Sequence, residues 1–319
     1  MDVLLILPGR QVVFLVLLAG GRTANSGSRF HSRTIAGYVL PADPITEGGR
    51  MSGTFSRRKA LVLGGGAVLG AAVGTGTASA ATDWIRLPVV TANIGRDNLG
   101  ARENAIRAVR DADPGTRPLV GWQEIVEGDT GERPMITKHF GDFYQNAFLW
   151  DDQSYRVPIS VPRPWQVINS RATFVHGGIE QVSPPRWINE VVIGHETHTA
   201  LRFALVNTHY IANAYNGDRR PGLQDEWDLH KSKHKERVLA HHQQGRPVIW
   251  TADTNRRDYG TATGWQVERS AFTDGIDRIG WMPGNDTPQV QLQLLNTKTV
   301  RMYVDGHDAR VAIFRIRLA

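Results

Sequence analysis

Apolar residues fall into short runs along this chain, and most runs end in a polar residue capable of chemistry. Residues 87–92 (LPVVTA) stop at Asn93, and 118–122 (PLVGW) stop at Gln123 and Glu124. Residues 201–208 (LRFALVNT) stop at His209, and 247–251 (PVIWT) lead to Asp253, Thr254 and Asn255. Residues 275–281 hold Asp277 inside the run, and 311–318 come last. Near-continuous apolar character over so few residues predicts strands covered on both faces. Between the first two runs, Ala101, Ala105, Ala108, Val109 and Ala112 recur at helical spacing, which predicts an amphipathic helix within 98–113. A second helix is expected over 223–243, with Trp227, His234 and Val238 on one face. Residues 151–189 are rich in Pro, Arg and Trp, and their weak periodicity reads as a long surface excursion with one or two strands. Interleaved strands and helices predict α/β layers, with a ligand site near the strand ends.

The first 80 residues are expected to stand apart from this fold. Arg57 and Arg58 form a twin-arginine pair, followed by a Gly/Ala-rich apolar run over 60–73 and an A-x-A pattern at Ala78-Ser79-Ala80. This is the layout of a twin-arginine export signal cleaved after Ala80. The competing reading is a transmembrane helix, but the run is glycine-rich and too short to span a bilayer. Met51 is then the expected start, residues 1–50 an over-extended N-terminus, and 81–319 a secreted domain without a stable membrane anchor. A monomer is expected.

Removing the leader changes the charge argument. The whole chain carries 37 basic and 31 acidic residues, a net charge of +6. Residues 1–80 hold eight of the basic and three of the acidic ones, leaving 29 and 28, a net of +1. Bulk charge therefore gives no argument for a nucleic-acid partner. The chain has no cysteine, which excludes disulfides, thiolate zinc sites and cysteine nucleophiles. The core must hold without staples, and 239 residues are enough for that.

One strand ending in an acid or histidine is also what a solvated turn looks like. Five or six such ends are harder to assign to turns. Glu124 offers a hard oxygen ligand for Mg²⁺, Mn²⁺ or Ca²⁺. Asn93 suits a metal's water shell or a substrate oxygen. Asp253 can orient or deprotonate a water, and Asn255 lies on the same side of an extended chain. His209 and His307 can hold a phosphate oxygen that gains charge, with an aspartate setting the tautomer of His307. A metal, an activated water and two histidines make a phosphoester-hydrolysing site.

The motifs T-A-N-I at 91–94, W-Q-E-I at 122–125, V-N-T-H-Y at 206–210, A-D-T-N at 252–255, I-D-R-I at 276–279 and D-G-H-D at 305–308 occur in that order. In this order they resemble the endonuclease/exonuclease/phosphatase superfamily, the DNase I-like proteins, over residues 87–317. The resemblance implies a four-layer α/β sandwich of two packed mixed β-sheets flanked by helices. It implies a divalent-metal-dependent phosphoester hydrolase, which the export signal would make a secreted one. Glu124 and Asn93 would be its metal-site pair, His209 its phosphate contact and Asp253 its water activator. Asn255 would position that water, and Asp277 would be the partner of His307. Two positions depart from the family pattern. Ala252 replaces the glycine of G-D-x-N, and Gly306 stands where the family keeps an acid directly before the histidine. Asp305 and Asp308 flank the gap, and Asp305 is the candidate to fill it at the metal site.

Nucleic acid is the favoured substrate. The alternatives are a phospholipase- or sphingomyelinase-type phosphodiesterase and a catalytically silent binding protein on the same scaffold. Other features have plainer readings. Gly194-His195-Glu196-Thr197-His198 has histidines three apart rather than the four a zinc-protease helix needs, and reads as a hairpin turn. His241 and His242, near Lys231, Lys233 and Lys235, read as a solvated helix end. Arg163, Trp165, Arg171, Arg186 and Trp187 read as loop packing, with a basic aromatic substrate surface as the sharper alternative.

Overall fold

The computed structural model describes residues 81–95, 100–126, 131–180, 183–212, 214, 221–285, 289–304 and 307–319. The export-signal segment, Asp305 and Gly306 lie outside the described residues. In chain order the elements are β1 (Ile85–Asn93), α1 (Arg102–Arg110), β2 (Leu119–Gln123), α2 (Glu132–Phe140), β3 (Tyr144–Ala147), β4 (Ile159–Pro162), β5 (Trp165–His176) and β6 (Arg186–His195). They continue with β7 (Arg202–His209), α3 (Gln224–Gln243), β8 (Val248–Asp253), β9 (Arg269–Ser270), β10 (Asp277–Met282), β11 (Val290–Val304) and β12 (His307–Leu318). Among the described residues no helix is long and apolar enough to cross a membrane.

Two six-stranded sheets form, in the orders β11-β12-β1-β2-β4-β3 and β5-β6-β7-β8-β10-β9. Each is mixed: β1 runs parallel to β2 and antiparallel to β12, while β7 runs parallel to β8 and β8 antiparallel to β10. Period-two alternation divides each central strand between two apolar layers. The inner faces meet through Leu87, Val89 and Phe314 on one side and Phe203, Leu205 and Ile249 on the other. Outside the first sheet, Val90, Ala92 and Trp122 pack on Ala105, Ile106 and Val109 of α1 and on Phe140 of α2. Outside the second, Val206, Val248 and Trp250 pack on Trp227 and Val238 of α3. The result is the four-layer α/β sandwich expected from the sequence.

Towards one end of the sandwich, the inner faces turn polar. β1 reads Leu87, Val89, Thr91, Asn93 along that face, β7 reads Phe203, Leu205, Asn207, His209, and β8 reads Ile249, Thr251, Asp253. Asn207 bridges the sheets just below the site. Its Nδ2 donates to Trp122 O at 2.8 Å and Val157 O at 3.0 Å, and its Oδ1 accepts from Gln123 Nε2 at 2.7 Å and Thr251 Oγ1 at 2.9 Å. Gly121 makes room for this: a Cβ there would lie 2.1 Å from Thr251 Oγ1 and 2.6 Å from Asn207 Oδ1. Asn207→Ala strands several buried partners at once and is expected to lower stability by about 3 kcal/mol. Urea unfolding checks this, and a loss below about 1 kcal/mol would show that these bonds do little to hold the sheets.

Three sequence expectations are corrected. Residues 151–189 are not a surface excursion. They supply β4, β5 and the start of β6, and all three strands reach the core, through Ile159 and Val161 of β4, Trp165 and Val175 of β5, and Ile188, Val191 and Ile193 of β6. The long run β11 was invisible to an apolar-run reading because it is an edge strand: Val290, Leu292 and Leu294 pack inward, while Gln291 and Gln293 bond Arg317 and Arg315. The end of α3 is not solvated. His241 and His242 are buried, and Arg237 forms a bidentate pair with Glu190 of β6 at 2.9 and 2.7 Å. The turn reading of residues 194–198 matches the structure, where β6 and β7 pair as an antiparallel hairpin.

The inner side of α3 is unusual in carrying buried imidazoles. His230 bonds Thr208 Oγ1 through Nε2 at 2.6 Å and stacks on Tyr210 with 4.0 Å between ring centroids. His234 Nδ1 meets Tyr210 OH at 2.9 Å. Burial holds the His234 ring neutral, pushing its pKa down to about 3, and burial also depresses His176, to about 4. In the unfolded chain these rings titrate near 6.5, so the unfolded state takes up protons first as pH falls. The contribution of these two rings to stability is therefore complete above about pH 6.5 and is lost progressively below it. His234 alone contributes a loss on the order of 3 kcal/mol by pH 4. Chemical denaturation from pH 7.5 to 4 should show this loss, and His234→Gln should flatten it. An unchanged acid limb in that variant would remove His234 as the cause.

Candidate active site

Asp253, the last residue of β8, is the hub. It sits in register with His209 on parallel β7 and with Asp277 on antiparallel β10. The opposite sheet reaches it through Asn93, the last residue of β1, whose Nδ2 donates to Asp253 Oδ2 at 2.8 Å. That bond and the one between His307 and Asp277 tie the two sheets together at the site. The other carboxylate oxygen accepts the Asn255 backbone N–H at 2.8 Å. Asn255 then turns its amide towards His209: Nδ2 lies 3.1 Å from His209 Nε2 and donates to Tyr210 O at 3.0 Å. His209 Nε2 is 3.4 Å from Asp253 Oδ2 and 3.9 Å from Glu124 Oε1. From the β11–β12 hairpin, His307 Nδ1 meets Asp277 Oδ2 at 3.0 Å.

The two histidines are driven in opposite directions. Burial, together with the positive charges of Arg186 and His307, pushes His209 well below its usual range and keeps it neutral. For His307, burial opposes the charge. The bond to Asp277 and the charges of Asp277, Asp253 and Glu124 outweigh it and raise its pKa to about 9. Asp253 is pushed up to about 6, chiefly by burial and then by the neighbouring Asp277 charge, against the pull of His307, Asn255 and Asn93. A carboxylate that titrates so close to neutrality is suited to taking a proton from water.

Backbone geometry also marks the site. Glu124 and Asn255 both have left-handed backbone, at φ 62° and 50°. Asparagine adopts this readily, whereas for glutamate it is an uncommon conformation of the kind that gathers at functional sites. It follows directly on β2, and the Glu124 carboxylate comes within 3.9 Å of His209 Nε2.

Every described residue singled out from the sequence is here: Asn93, Glu124, His209, Asp253, Asn255, Asp277 and His307. Asp308, the other aspartate flanking Gly306, is exposed, and its Oδ1 accepts from Met302 N at 3.3 Å across the hairpin. Sequence reasoning did not pick out Arg156, which lies close enough to act on the His209 charge. Nothing local to residues 151–189 would have revealed this, because its place depends on the loop before β4 docking next to Glu124, where Arg156 O accepts from Ile125 N at 3.3 Å.

The donor set fits a hard divalent cation. Glu124 offers a partly exposed carboxylate 3.9 Å from His209 Nε2, and Asp277 Oδ1 is buried without a hydrogen-bond partner. Asp253, Asp277 and His307 can also place one ligand atom each within 4.8 Å of one another. A histidine held as the cation has no lone pair to offer, so this trio reads better as an ion pair beside a base.

Two mixed sheets packed face to face, helices on both outer faces and a polar cluster at one end of the strands together define the DNase I-like α/β sandwich. Solved structures agree on the fold. A humanized TDP2 of D. rerio superposes with a TM-score of 0.53 at 14% identity, covering 72% of this chain and 98% of that one. The human Nocturnin catalytic domain with a bound sulfate anion gives 0.50 at 13% identity, covering 73% and 96%. An endonuclease/exonuclease/phosphatase family protein from Bacteroides thetaiotaomicron gives 0.49 at 13% identity, covering 73% and 99%. No family model and no curated protein matches the sequence.

Proposed function

We propose that the protein is a divalent-metal-dependent phosphoester hydrolase that cleaves phosphodiesters, with nucleic acid as the favoured substrate. The observation carrying this reading is the Asn93–Asp253 bond between the sheets, with His209, Asn255, Asp277 and His307 gathered around it. In this reading Asp253 takes a proton from a water. The water oxygen attacks phosphorus as the bond to the leaving oxygen breaks, giving a phosphomonoester and an alkoxide; the alkoxide takes a proton from solvent to become the alcohol, and Asp253 gives its proton up to solvent. Asn93 and Asn255 fix the Asp253 carboxylate by donating to its two oxygens. His307, protonated and braced by Asp277, donates to a phosphate oxygen as charge builds there. Neutral His209 contacts the same phosphate. Glu124, with Asn93, would hold Mg²⁺ or Mn²⁺, whose contribution is to neutralise the phosphate charge.

Secretion belongs to the same reading and rests on the twin-arginine pattern ahead of Ala80. Its test is the N-terminal sequence of exported protein, where a start well before residue 81 would refute cleavage there. The activity is tested by incubating the purified protein with plasmid DNA, RNA, sphingomyelin and a generic phosphodiester, in Mg²⁺ or Mn²⁺ and in chelator. Metal-dependent cleavage of nucleic acid is the expected result. Cleavage of sphingomyelin alone would reassign the substrate to lipid, and no turnover on any of the four would favour a silent binding protein.

A further inference from the structure

The row of site residues on the second sheet does not stop at His209. Ile188 of β6 lies opposite Thr208 of β7, and both face α3: Ile188 joins that outer core, and Thr208 bonds His230. Asn189 lies opposite Asn207, and both point inward to the same carbonyl, Val157 O, at 3.0 Å. Alternation therefore puts Trp187 on the inward face, one step further along and beside His209. Phe174 of β5 is the register partner of Trp187, and their rings meet edge to face at 5.2 Å between centroids. Asp277, Asp253, His209, Trp187 and Phe174 thus form one row across five adjacent strands. The first three lie under the other sheet, whereas Trp187 is half-buried and Phe174 is 49% exposed. Arg156 adds positive charge close enough to bear on His209, and Arg186, the register partner of His176, alternates to the opposite, α3-facing side of β6.

Phe174 is poorly placed as core, since 49% of it stays exposed. Beside a phosphate-handling histidine and the positive charge of Arg156, the Trp187–Phe174 pair has the chemistry of a stacking platform. We infer that Trp187 and Phe174 bind a nucleobase attached to the phosphate held at His209, which makes the substrate a nucleotide diester. Base–aromatic stacking tolerates any base, so the platform selects for an aromatic ring and not for a sequence. Strand spacing places it about 5 to 10 Å from His209 along the sheet. The inference rests on the hydrolase reading in one respect, that the phosphate sits at His209.

The test compares binding of thymidine 5′-monophosphate with that of glycerol 3-phosphate by calorimetry. Wild-type protein should prefer the nucleotide. Phe174→Ala and Trp187→Ala should each lower that preference roughly ten- to hundredfold, and Trp187→Phe should keep most of it. Phe174 is exposed enough that its alanine variant is expected to fold, and thermal unfolding verifies this. A preference that survives both alanine substitutions, or no preference in the wild type, overturns the platform. Ring-dependent binding without turnover of any diester would leave the platform and refute the hydrolase. Cleavage of DNA that ignores both substitutions would do the reverse.

Discussion

Asp253→Asn is expected to lower kcat by about two to four orders of magnitude while leaving the protein folded. The amide matches the carboxylate in shape but cannot accept a proton from water. Stability should change little, because two effects oppose each other. Asn93 Nδ2 and the Asn255 N–H both donate to Asp253, so whichever way the new amide is turned, one donor faces an NH₂ group. Against this, burial and the nearby Asp277 already work against the Asp253 charge, and removing that charge relieves the conflict. Steady-state kinetics with matched circular dichroism decides the matter. A folded variant that keeps a tenth or more of wild-type kcat would remove Asp253 from the role of base.

His307→Ala should lower kcat by about 100- to 1,000-fold, the cost of losing one donor aimed at developing phosphate charge. KM should move much less, because the donor acts mainly on the transition state. Asp277 acts through His307: its bond and charge help hold the imidazole as the cation against the opposing effect of burial. Asp277→Asn should therefore lower kcat in the same direction, and the double variant should be no worse than His307→Ala alone. Fully additive losses would show that Asp277 has a separate role, for which its unpartnered buried Oδ1 is the obvious starting point.

The strands that build the site were legible because they lie in the middle of their sheets. β1, β2, β7, β8 and β12 are covered on both faces, so nearly every position is apolar until the strand reaches the site. The run then stops at the polar residue that enters the site. β5 and β11 were not legible because they are sheet edges. The long β5 leaves Asn169, Ser170 and Arg171 exposed, and β11 alternates leucine with glutamine. Neither pattern separates a strand from a loop in one sequence. His241 and His242 were misread for a related reason. Their composition suits a helix end in water, and only the position of Glu190 on β6 makes the end of α3 a buried, paired surface.

By itself the sequence determined which residues stand at the ends of the core strands, and therefore which functional groups the site could contain. Local pattern and chemical type suffice for that, since a strand end is defined by where burial stops. The tertiary structure decided what state those groups are in. His209 and His307 are the same side chain, yet one is held neutral and the other charged. His209 is buried beside positive groups, whereas His307 is bonded to Asp277 and faces further carboxylates. Asp253 is pushed up to about 6 by burial and by a carboxylate from a strand that follows it in sequence but lies beside it in the sheet. Protonation depends on solvent exclusion and on distances between strands far apart in the chain. For that reason the protonation states on which the proposed roles of base and proton donor rest follow from packing and not from the order of residues.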